Sequence, residues 1–114
     1  MVEVREYVDA QGRIPYRDWV VMLDAATRAR VIAAVLRMEV GNFSAAKSAG
    51  SGVSELRMDF GPGYRVYFGK DGERLVIVLG GGSKKRQQHD IDAAGANWQD
   101  YKRRKKEGSY GTDT

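Results

Sequence analysis

The 114-residue chain contains no cysteine, a single histidine and only two prolines. Without cysteine there are no disulfides, no thiolate ligands for a metal and no cysteine nucleophile. One imidazole, that of His89, is too few for a histidine-based metal site, and Asp90 and Asp92 beside it lack a clear third ligand. We therefore expect neither a metal nor another cofactor.

Long hydrophobic runs are also missing. The apolar stretch from Val76 to Leu79 is far shorter than the roughly 20 residues that cross a bilayer. The N-terminus, MVEVREYVDA, alternates charged and apolar residues, whereas a signal peptide has a basic start and then an apolar run. These absences predict a soluble protein of the cytoplasm with no membrane partner.

The composition is that of an ordinary globular domain, with 42% hydrophobic and 30% charged residues. The length fits one hydrophobic core. We expect a single domain over residues 1–107 and a disordered tail over 108–114, in which Tyr110 is the sole apolar anchor.

Positive charge is concentrated near the C-terminus. Residues 84–106 hold eight Lys and Arg against three Asp, a net charge of +5, which leaves −1 for the rest of the chain. A basic region on a near-neutral body is typical of a polyanion-binding or acidic-protein-binding face. The alternative is a solvated, lysine-rich helix end, which also suits the helix dipole.

The first half of the chain predicts a strand and a helical hairpin. Residues 1–9 alternate as a strand does, and helical spacing of apolar residues follows over 15–23 and 25–40. Asp24 suits the N-cap of the second helix, and Gly41 suits its C-terminal stop. Residues 41–53 are rich in Gly, Ser and Ala without clear periodicity, which indicates a mobile or a poorly packed loop.

The second half predicts three antiparallel strands and a helix. Period-two patterning runs from Glu55 to Phe60 and again over 64–69, and a continuous apolar strand spans about 73–79. An amphipathic helix then begins near residue 85 or 87. The fold class is α+β: an N-terminal strand, a helical hairpin, a three-stranded antiparallel meander and a C-terminal helix, with one sheet face covered by helices and the other open.

The predicted open face carries Arg57, Arg65 and Tyr67. Arginine binds phosphate oxygens through two parallel hydrogen bonds, and an adjacent aromatic ring can stack on a base. The three residues therefore fit nucleic acid. The alternative is that Arg57 or Arg65 pairs across strands with Glu55 or Asp59, a common and weak surface interaction.

The glycine-rich segment from Gly80 to Ser83 precedes Lys84, Lys85 and Arg86. Its spacing is not that of a nucleotide-binding phosphate loop. It predicts a flexible exit from the last strand that delivers three basic residues to the end of the sheet, or else a simple connection into the helix.

Three segments together resemble the RelE/ParE toxin superfamily, in its HigB-like addiction-module killer branch. They are ELRMDFGPGYRVYF, GGGSKKRQQHDID and the helix end WQDYKRR, and the resemblance covers nearly the whole chain in the expected order. It implies a RelE-like fold and a small prokaryotic toxin neutralised by an antitoxin encoded beside it. RelE-type and HigB-type members cleave mRNA in the ribosomal A site without a metal, whereas ParE-type members poison DNA gyrase.

The resemblance also implies site residues. Arg65 matches the phosphate-binding arginine of the family, Arg57 matches a basic residue of the strand, and Lys84 or Lys85 matches the basic group after the last strand. RelE has a tyrosine near the position where this chain has His89. His89 is the candidate general acid in its place, with Asp90 either orienting it or capping the last helix. RelE also has two lysines where this chain has Glu55 and Arg57, so no general base is assigned.

We therefore predict a metal-independent, ribosome-dependent mRNA endonuclease. The residues predicted to contact RNA are Tyr67, Arg86, Lys102 and Arg103. The expected partners are a cognate antitoxin, the ribosome and mRNA, with operator DNA bound only through the antitoxin complex. A ParE-like gyrase inhibitor without nuclease activity, and a divergent inactive member that retains antitoxin binding, are the alternatives.

Overall fold

The computed structural model describes residues 1–110 and confirms the α+β class. In chain order the elements are β1 (Glu3–Glu6), α1 (Pro15–Val20), α2 (Ala25–Leu36), a 3-10 turn (Arg37–Val40), β2 (Ala46–Gly50), β3 (Val53–Met58), β4 (Tyr64–Lys70), β5 (Leu75–Ser83), a second 3-10 turn (Lys84–Arg86) and α3 (Gln87–Glu107). No helix in the described part of the chain is both long enough and apolar enough to cross a membrane.

The helical hairpin begins and ends on the predicted residues. The Asp24 carboxylate accepts a hydrogen bond from the Thr27 backbone N–H at 2.8 Å and so caps α2. Gly41 ends the following 3-10 turn at φ 81°, a left-handed conformation that a residue with a Cβ adopts at a cost.

The sheet has five strands in the order β1-β5-β4-β3-β2, in which β1 runs parallel to β5 and the other pairs are antiparallel. The prediction of a mobile loop over 41–53 is wrong in its second half, where β2 pairs with β3 through Ala46 opposite Leu56 and Lys47 opposite Glu55. Backbone hydrogen bonds form this edge strand. Because they require no alternation of apolar side chains, the sequence pattern did not indicate it.

Helices cover both faces of the sheet. The α1–α2 hairpin packs on a core whose sheet residues include Leu56, Met58, Val66, Phe68, Val76 and Val78, as the strand alternation predicted. On the other face, α3 packs its Ala94, Trp98 and Tyr101 on Val53, Tyr67, Ile77 and Leu79. The prediction of an open second face is therefore wrong. The hairpin already fills the first face, and the apolar stripe of α3 is buried on the second.

Several contacts fasten the C-terminal end of α3 and Tyr110 to the residues that follow β1. The Tyr7 hydroxyl donates to the Asp100 carboxylate at 2.5 Å, and Arg104 donates to the same carboxylate at 2.8 Å. The Tyr110 hydroxyl accepts from the Val8 N–H at 2.8 Å, and its ring stacks on Tyr7. The end of the helix is thus held by hydrogen bonds as well as by apolar packing.

The predicted tail over 108–114 falls partly within the structure. Gly108 ends α3 at φ 78°, and Tyr110 packs as described. Residues 111–114 lie outside the described residues.

The contact between α3 and the sheet predicts a contrast between two glycines. A Cβ at Gly69 would lie 2.6 Å from the buried Trp98 ring, whereas a Cβ at Gly95 of α3 would meet no heavy atom within 4 Å. We expect Gly69→Ala to lower the free energy of unfolding by about 1–3 kcal/mol, as overpacking does. We expect Gly95→Ala to raise it by about 0.5–1 kcal/mol, since alanine favours helix. Urea unfolding of both variants measures this, and equal effects would contradict the packing.

The Asp100 contacts predict a dependence of stability on pH. Partial desolvation raises the pKa of Asp100, but hydrogen bonds from Tyr7 and Arg104 outweigh it and hold this pKa below its ordinary value of 3.8. A carboxyl with a lowered folded pKa stabilises the fold above about pH 4 and loses that contribution as the pH falls through the folded pKa. We expect Asp100→Asn to reduce stability at pH 7 and to flatten the loss of stability in acid, as measured by urea unfolding between pH 7 and pH 2.

The matched control is Asp92→Asn, which removes an exposed carboxylate of the same helix that accepts one side-chain hydrogen bond from Gln88. We expect its acid profile to follow that of the unmodified chain. Parallel profiles for Asp100→Asn and the unmodified chain would show that the Asp100 contacts do not hold α3.

Candidate functional site

Arg57 and Arg65 lie directly opposite each other in β3 and β4, and Glu55 lies opposite Tyr67 two pairs further along. All four belong to one sheet face because residues two apart in a strand share a face. This part of the face lies under the beginning of α3, where Gln87 contacts Glu55. The structure thus brings the two predicted arginines together beside a carboxylate.

Glu55 joins the two arginines. Its Oε2 accepts a hydrogen bond from Arg57 Nε at 2.5 Å and lies 3.8 Å from Arg65 Nε, which is an ion pair too long for a hydrogen bond. The Glu55 and Arg65 side chains are 3% and 6% exposed, but that of Arg57 is 38% exposed. The structure therefore contains the alternative arrangement, in which the arginines form ion pairs with Glu55. Arg57 pairs with Glu55 within β3, and Arg65 pairs with it across strands from β4.

The beginning of α3 closes over this carboxylate. Gln87 Nε2 donates to Glu55 Oε1 at 3.0 Å, so both oxygens of Glu55 accept hydrogen bonds. Sequence reasoning identified Glu55 as a pairing partner but missed Gln87, since nothing in the pattern showed which sheet face α3 would cover. We call Glu55, Arg57, Arg65 and Gln87 the Glu55 cluster.

Two buried polar atoms beside Glu55 have no hydrogen-bond partner within the described residues, Arg65 Nε and the Tyr67 hydroxyl. Arg65 instead donates through Nη1 to the Tyr64 carbonyl at 3.2 Å. Burial raises the pKa of Tyr67 to about 12, and the nearby charges of Glu55 and Asp90 add to the shift. Tyr67 is fully buried under α3, so the prediction that it contacts a base is wrong.

Asp90 faces the end of β5. At Gly82 a Cβ would lie 1.9 Å from Asp90 Oδ2, so the carboxyl occupies the space that a side chain at Gly82 would need. Burial raises the pKa of Asp90, and the charges of Arg86 and His89 offset part of that rise. No hydrogen bond joins Asp90 to His89 among residues 1–110, so the expected orientation of His89 by Asp90 is absent.

The glycines before Lys84 are not a flexible exit. Gly81 and Gly82 continue β5 and pair with Val66 and Arg65. The Lys84 N–H then donates to the Gly63 carbonyl at 2.8 Å, which ties the chain to the turn between β3 and β4.

The same turn places Lys84 beside Arg65. A Cβ on Gly63 would lie 3.5 Å from the Lys84 Cβ and 3.7 Å from Arg65 Nη1. Lys84 is exposed, as are Lys85, Arg86 and His89, which follow it in the 3-10 turn and the first turn of α3.

Lys102 and Arg103 are not part of this cluster. They lie on α3 about 20 Å along the helix axis from His89, at 1.5 Å per residue. Arg103 pairs with Asp100 and Glu107, and the Lys102 ammonium lies 5.6 Å from the centre of the Trp98 ring. Both side chains are exposed.

No group of three or more His, Asp and Glu side chains suited to a metal occurs within residues 1–110. The chemistry available at the Glu55 cluster is therefore that of a carboxylate, two guanidinium groups and the neighbouring ammonium of Lys84.

The Glu55 cluster predicts a large cost for removing one charge. Glu55→Gln leaves the buried Arg65 without its counter-charge, and breaking a buried ion pair typically costs about 3–5 kcal/mol. The matched control is Glu3→Gln, because Glu3 forms a 2.5 Å pair with Arg5 at the same two-residue spacing but on an exposed strand. We expect no measurable loss for Glu3→Gln. Urea unfolding of both variants tests this, and a small effect at Glu55 would mean that solvent screens the cluster.

Comparison with known proteins places the chain in a family. Residues 18–98 match the family described as "Phage derived protein Gp49-like (DUF891)". A relative from Haemophilus influenzae, described as an uncharacterized protein, is 39% identical over 88 residues, which covers 76% of this chain and 89% of the relative. The matched residues include β3, β4, β5 and most of α3. The chain therefore belongs to the Gp49-like family, which is part of the RelE/ParE-like superfamily of toxins.

Proposed function

We propose that the chain is the toxin of a toxin-antitoxin pair and cleaves mRNA on the ribosome without a metal. The observation that supports this most is the placement of two cations, Arg57 and Lys84, at the exposed side of the Glu55 cluster. Arg57 lies opposite Arg65 in the sheet, and Lys84 and Arg65 both approach Gly63, so in our proposal a phosphate contacted by both cations rests above Arg65.

The cluster supplies charge where RNA cleavage needs it. In this reaction the ribose 2′-hydroxyl gives its proton to solvent water and its oxygen bonds to the adjacent phosphorus, the bond from phosphorus to the 5′-oxygen of the next nucleotide breaks, and a 2′,3′-cyclic phosphate forms. The transition state carries extra negative charge on the phosphate oxygens, and fixed cations in a partly dry site stabilise it strongly. Arg57 and Lys84 contact those oxygens in our proposal, and Lys85 adds charge nearby.

Arg65 and Glu55 act behind these contacts. Arg65 is too buried to meet a phosphate in this conformation, so we assign it the role of fixing Glu55, which in turn orients the Arg57 guanidinium. His89 is exposed in the first turn of α3 and donates the proton to the leaving oxygen.

The remaining basic residues bind RNA away from the cut. Arg86 just before α3 and Lys102 and Arg103 on α3 are exposed, within the segment of net charge +5. Such contacts to phosphates add affinity that falls as salt rises. The ribosome presents ribosomal RNA, which we propose as their partner.

A second function has one observation in its favour. Because Arg57 and Arg65 are both paired with Glu55, the cluster is less basic than a bare phosphate site. That pairing fits a toxin that inhibits DNA gyrase by binding alone.

Arg57→Ala tests the proposed cleavage. We expect purified protein to cut mRNA in translating ribosomes and Arg57→Ala to cut about 100-fold more slowly, the usual cost of losing one donor to the transition state. Primer extension maps and quantifies the new mRNA ends. The matched control is Arg74→Ala, which removes an exposed arginine just before the opposite end of β5, and we expect it to cut at the unmodified rate.

Two other results would redirect the assignment. Intact mRNA together with inhibition of purified DNA gyrase would establish the second function. Equal slowing by Arg57→Ala and Arg74→Ala would mean that the effect comes from overall charge and that the Glu55 cluster is not the site.

A further inference from the structure

A groove between α2 and the end of β3 is lined by three arginines and by no acidic residue. Its volume is about 410 Å³. The arginines are Arg30, Arg37 and Arg57, and the small side chains of Ala29 and Ala33 leave space between the helix and the strand. We call this feature the arginine groove.

The two arginines on the α2 side have no counter-charge. Arg30, Ala33 and Arg37 are three and four residues apart, a spacing that places them on one face of a helix. Arg30 and Arg37 are both exposed, and neither forms an ion pair or a side-chain hydrogen bond with another residue of 1–110. From residue 25 to residue 38 the chain contains three Arg and no Asp or Glu. The charges of Arg30 and Arg37 are therefore available to an anionic ligand.

Phe60 holds one of these arginines in place. The guanidinium carbon of Arg30 lies 3.6 Å from the centre of the Phe60 ring, which is a cation–π contact, and Phe60 also lines the groove. The Phe60 ring packs in turn on the Tyr64 ring, with 5.4 Å between their centres. A guanidinium that is already oriented loses less conformational freedom when it binds a phosphate.

The arginine groove reaches the Glu55 cluster around the edge of the sheet. The edge strand β2 pairs with β3 only as far as Ala46 opposite Leu56. Arg57 and Met58 come next, and as neighbours in a strand they point to opposite sheet faces, yet both line the groove. The groove therefore extends from the α2 side of the sheet, past the end of β2, to the residue that pairs with Glu55.

We propose that the arginine groove binds the stretch of mRNA next to the cut, with Arg30 and Arg37 on its backbone phosphates. This inference rests on the proposed toxin function, in which Arg57 contacts the phosphate that is cut. Because Arg57 belongs to both sites, a strand held there continues into the groove. A cationic groove that follows the backbone is the usual way in which proteins bind single strands.

The spacing of the two arginines fits an extended strand. Seven residues separate Arg30 from Arg37, which is about 10 Å along the helix axis at 1.5 Å per residue. Each guanidinium therefore contacts a different phosphate. An acidic protein segment is the other ligand that would suit these charges, and the continuity with Arg57 favours RNA over it.

Binding of an uncleavable RNA tests the groove without any need for cleavage. The probe is a short fluorescent single-stranded RNA with 2′-O-methyl riboses, which lack the attacking hydroxyl. We expect the double variant Arg30→Gln/Arg37→Gln to bind it about tenfold more weakly in fluorescence anisotropy, since two charged hydrogen bonds are lost. The slope of log K against log salt should fall by about 1.4, because each phosphate contact of a single strand contributes about 0.7.

The matched control is Arg13→Gln/Arg74→Gln, which removes the same charge at two exposed arginines outside the groove. We expect it to keep the salt slope of the unmodified chain. Arg37→Lys keeps the positive charge and should keep the slope as well. Gln and Arg have similar helix propensities, so the groove variant should fold normally, and urea unfolding measures this.

A crosslink on the ribosome distinguishes mRNA from ribosomal RNA as the ligand. The chain has no cysteine, so Ala29→Cys provides one thiol in the groove for a photo-crosslinker and keeps all three arginines. Ribosomes stalled on an mRNA with 2′-O-methyl riboses in the A-site codon keep that mRNA whole. We expect a crosslink to mRNA beside this codon, mapped by primer extension. The control Ala10→Cys, at an exposed position after β1, should give none.

Each outcome supports or overturns the proposal. Weaker RNA binding and a lower salt slope in the groove variant alone, with a crosslink to mRNA, support it. Equal losses in both double variants, or no RNA binding by the unmodified chain, overturn it. A crosslink to ribosomal RNA alone overturns mRNA as the ligand. Polyglutamate that binds as tightly as the RNA, and that only the groove variant loses, overturns RNA in favour of an acidic protein.

Cleavage is measured separately on unmodified mRNA. Cleavage by a chain whose groove does not bind RNA would leave the proposed activity standing and overturn the groove. RNA bound in the groove of a chain that never cuts would support the groove and contradict the proposed cleavage.

Discussion

The packing of α3 on the second face of the sheet is the constraint on which the site depends. Trp98 of this helix lies against Gly69, where the backbone leaves room for the ring and a Cβ would not. Farther along, the Tyr101 hydroxyl donates to Asp71 at 2.6 Å, and Arg104 Nη2 donates to the Val8 carbonyl at 2.5 Å. These contacts fix the helix along its length and so determine where its first turn lies. Without these contacts the Glu55 carboxylate would be exposed to water, which would solvate its charge in place of the arginines.

The buried Glu55–Arg65 ion pair matters more for positioning the neighbouring side chains than for the free energy of unfolding. Moving two charges out of water costs several kcal/mol for each, and their attraction offsets that cost only when hydrogen bonds satisfy the remaining atoms. Here Glu55 is satisfied by Arg57 and Gln87, whereas Arg65 Nε has no hydrogen-bond partner in the described part of the chain. An apolar pair would fill the same space at lower cost. What the buried charges provide instead is geometry: the ion pair with Glu55 holds the Arg57 guanidinium at the surface in one orientation.

The sequence correctly predicted which residues share a face of each strand or helix. It did not predict which element of the fold covers each of those faces. Alternation in β3 and β4 correctly assigned Leu56 and Val66 to one face and Arg57 and Arg65 to the other. The stripe containing Trp98 correctly indicated a buried helix face. An amphipathic pattern shows that a face is covered but not by what, so the covering of Tyr67 by α3 was not predictable. The β2 strand was not predicted, because an edge strand held by backbone hydrogen bonds requires no regular pattern of polar and apolar side chains.

The fold keeps two kinds of surface apart. The α1–α2 hairpin occupies one sheet face with a net charge of zero over the first 40 residues, and α3 occupies the other within the segment 84–106 of net charge +5. The five-stranded sheet lies between them, and each helical layer has its own core. A partner bound on the hairpin side would therefore contact a different layer from the one that covers the Glu55 cluster.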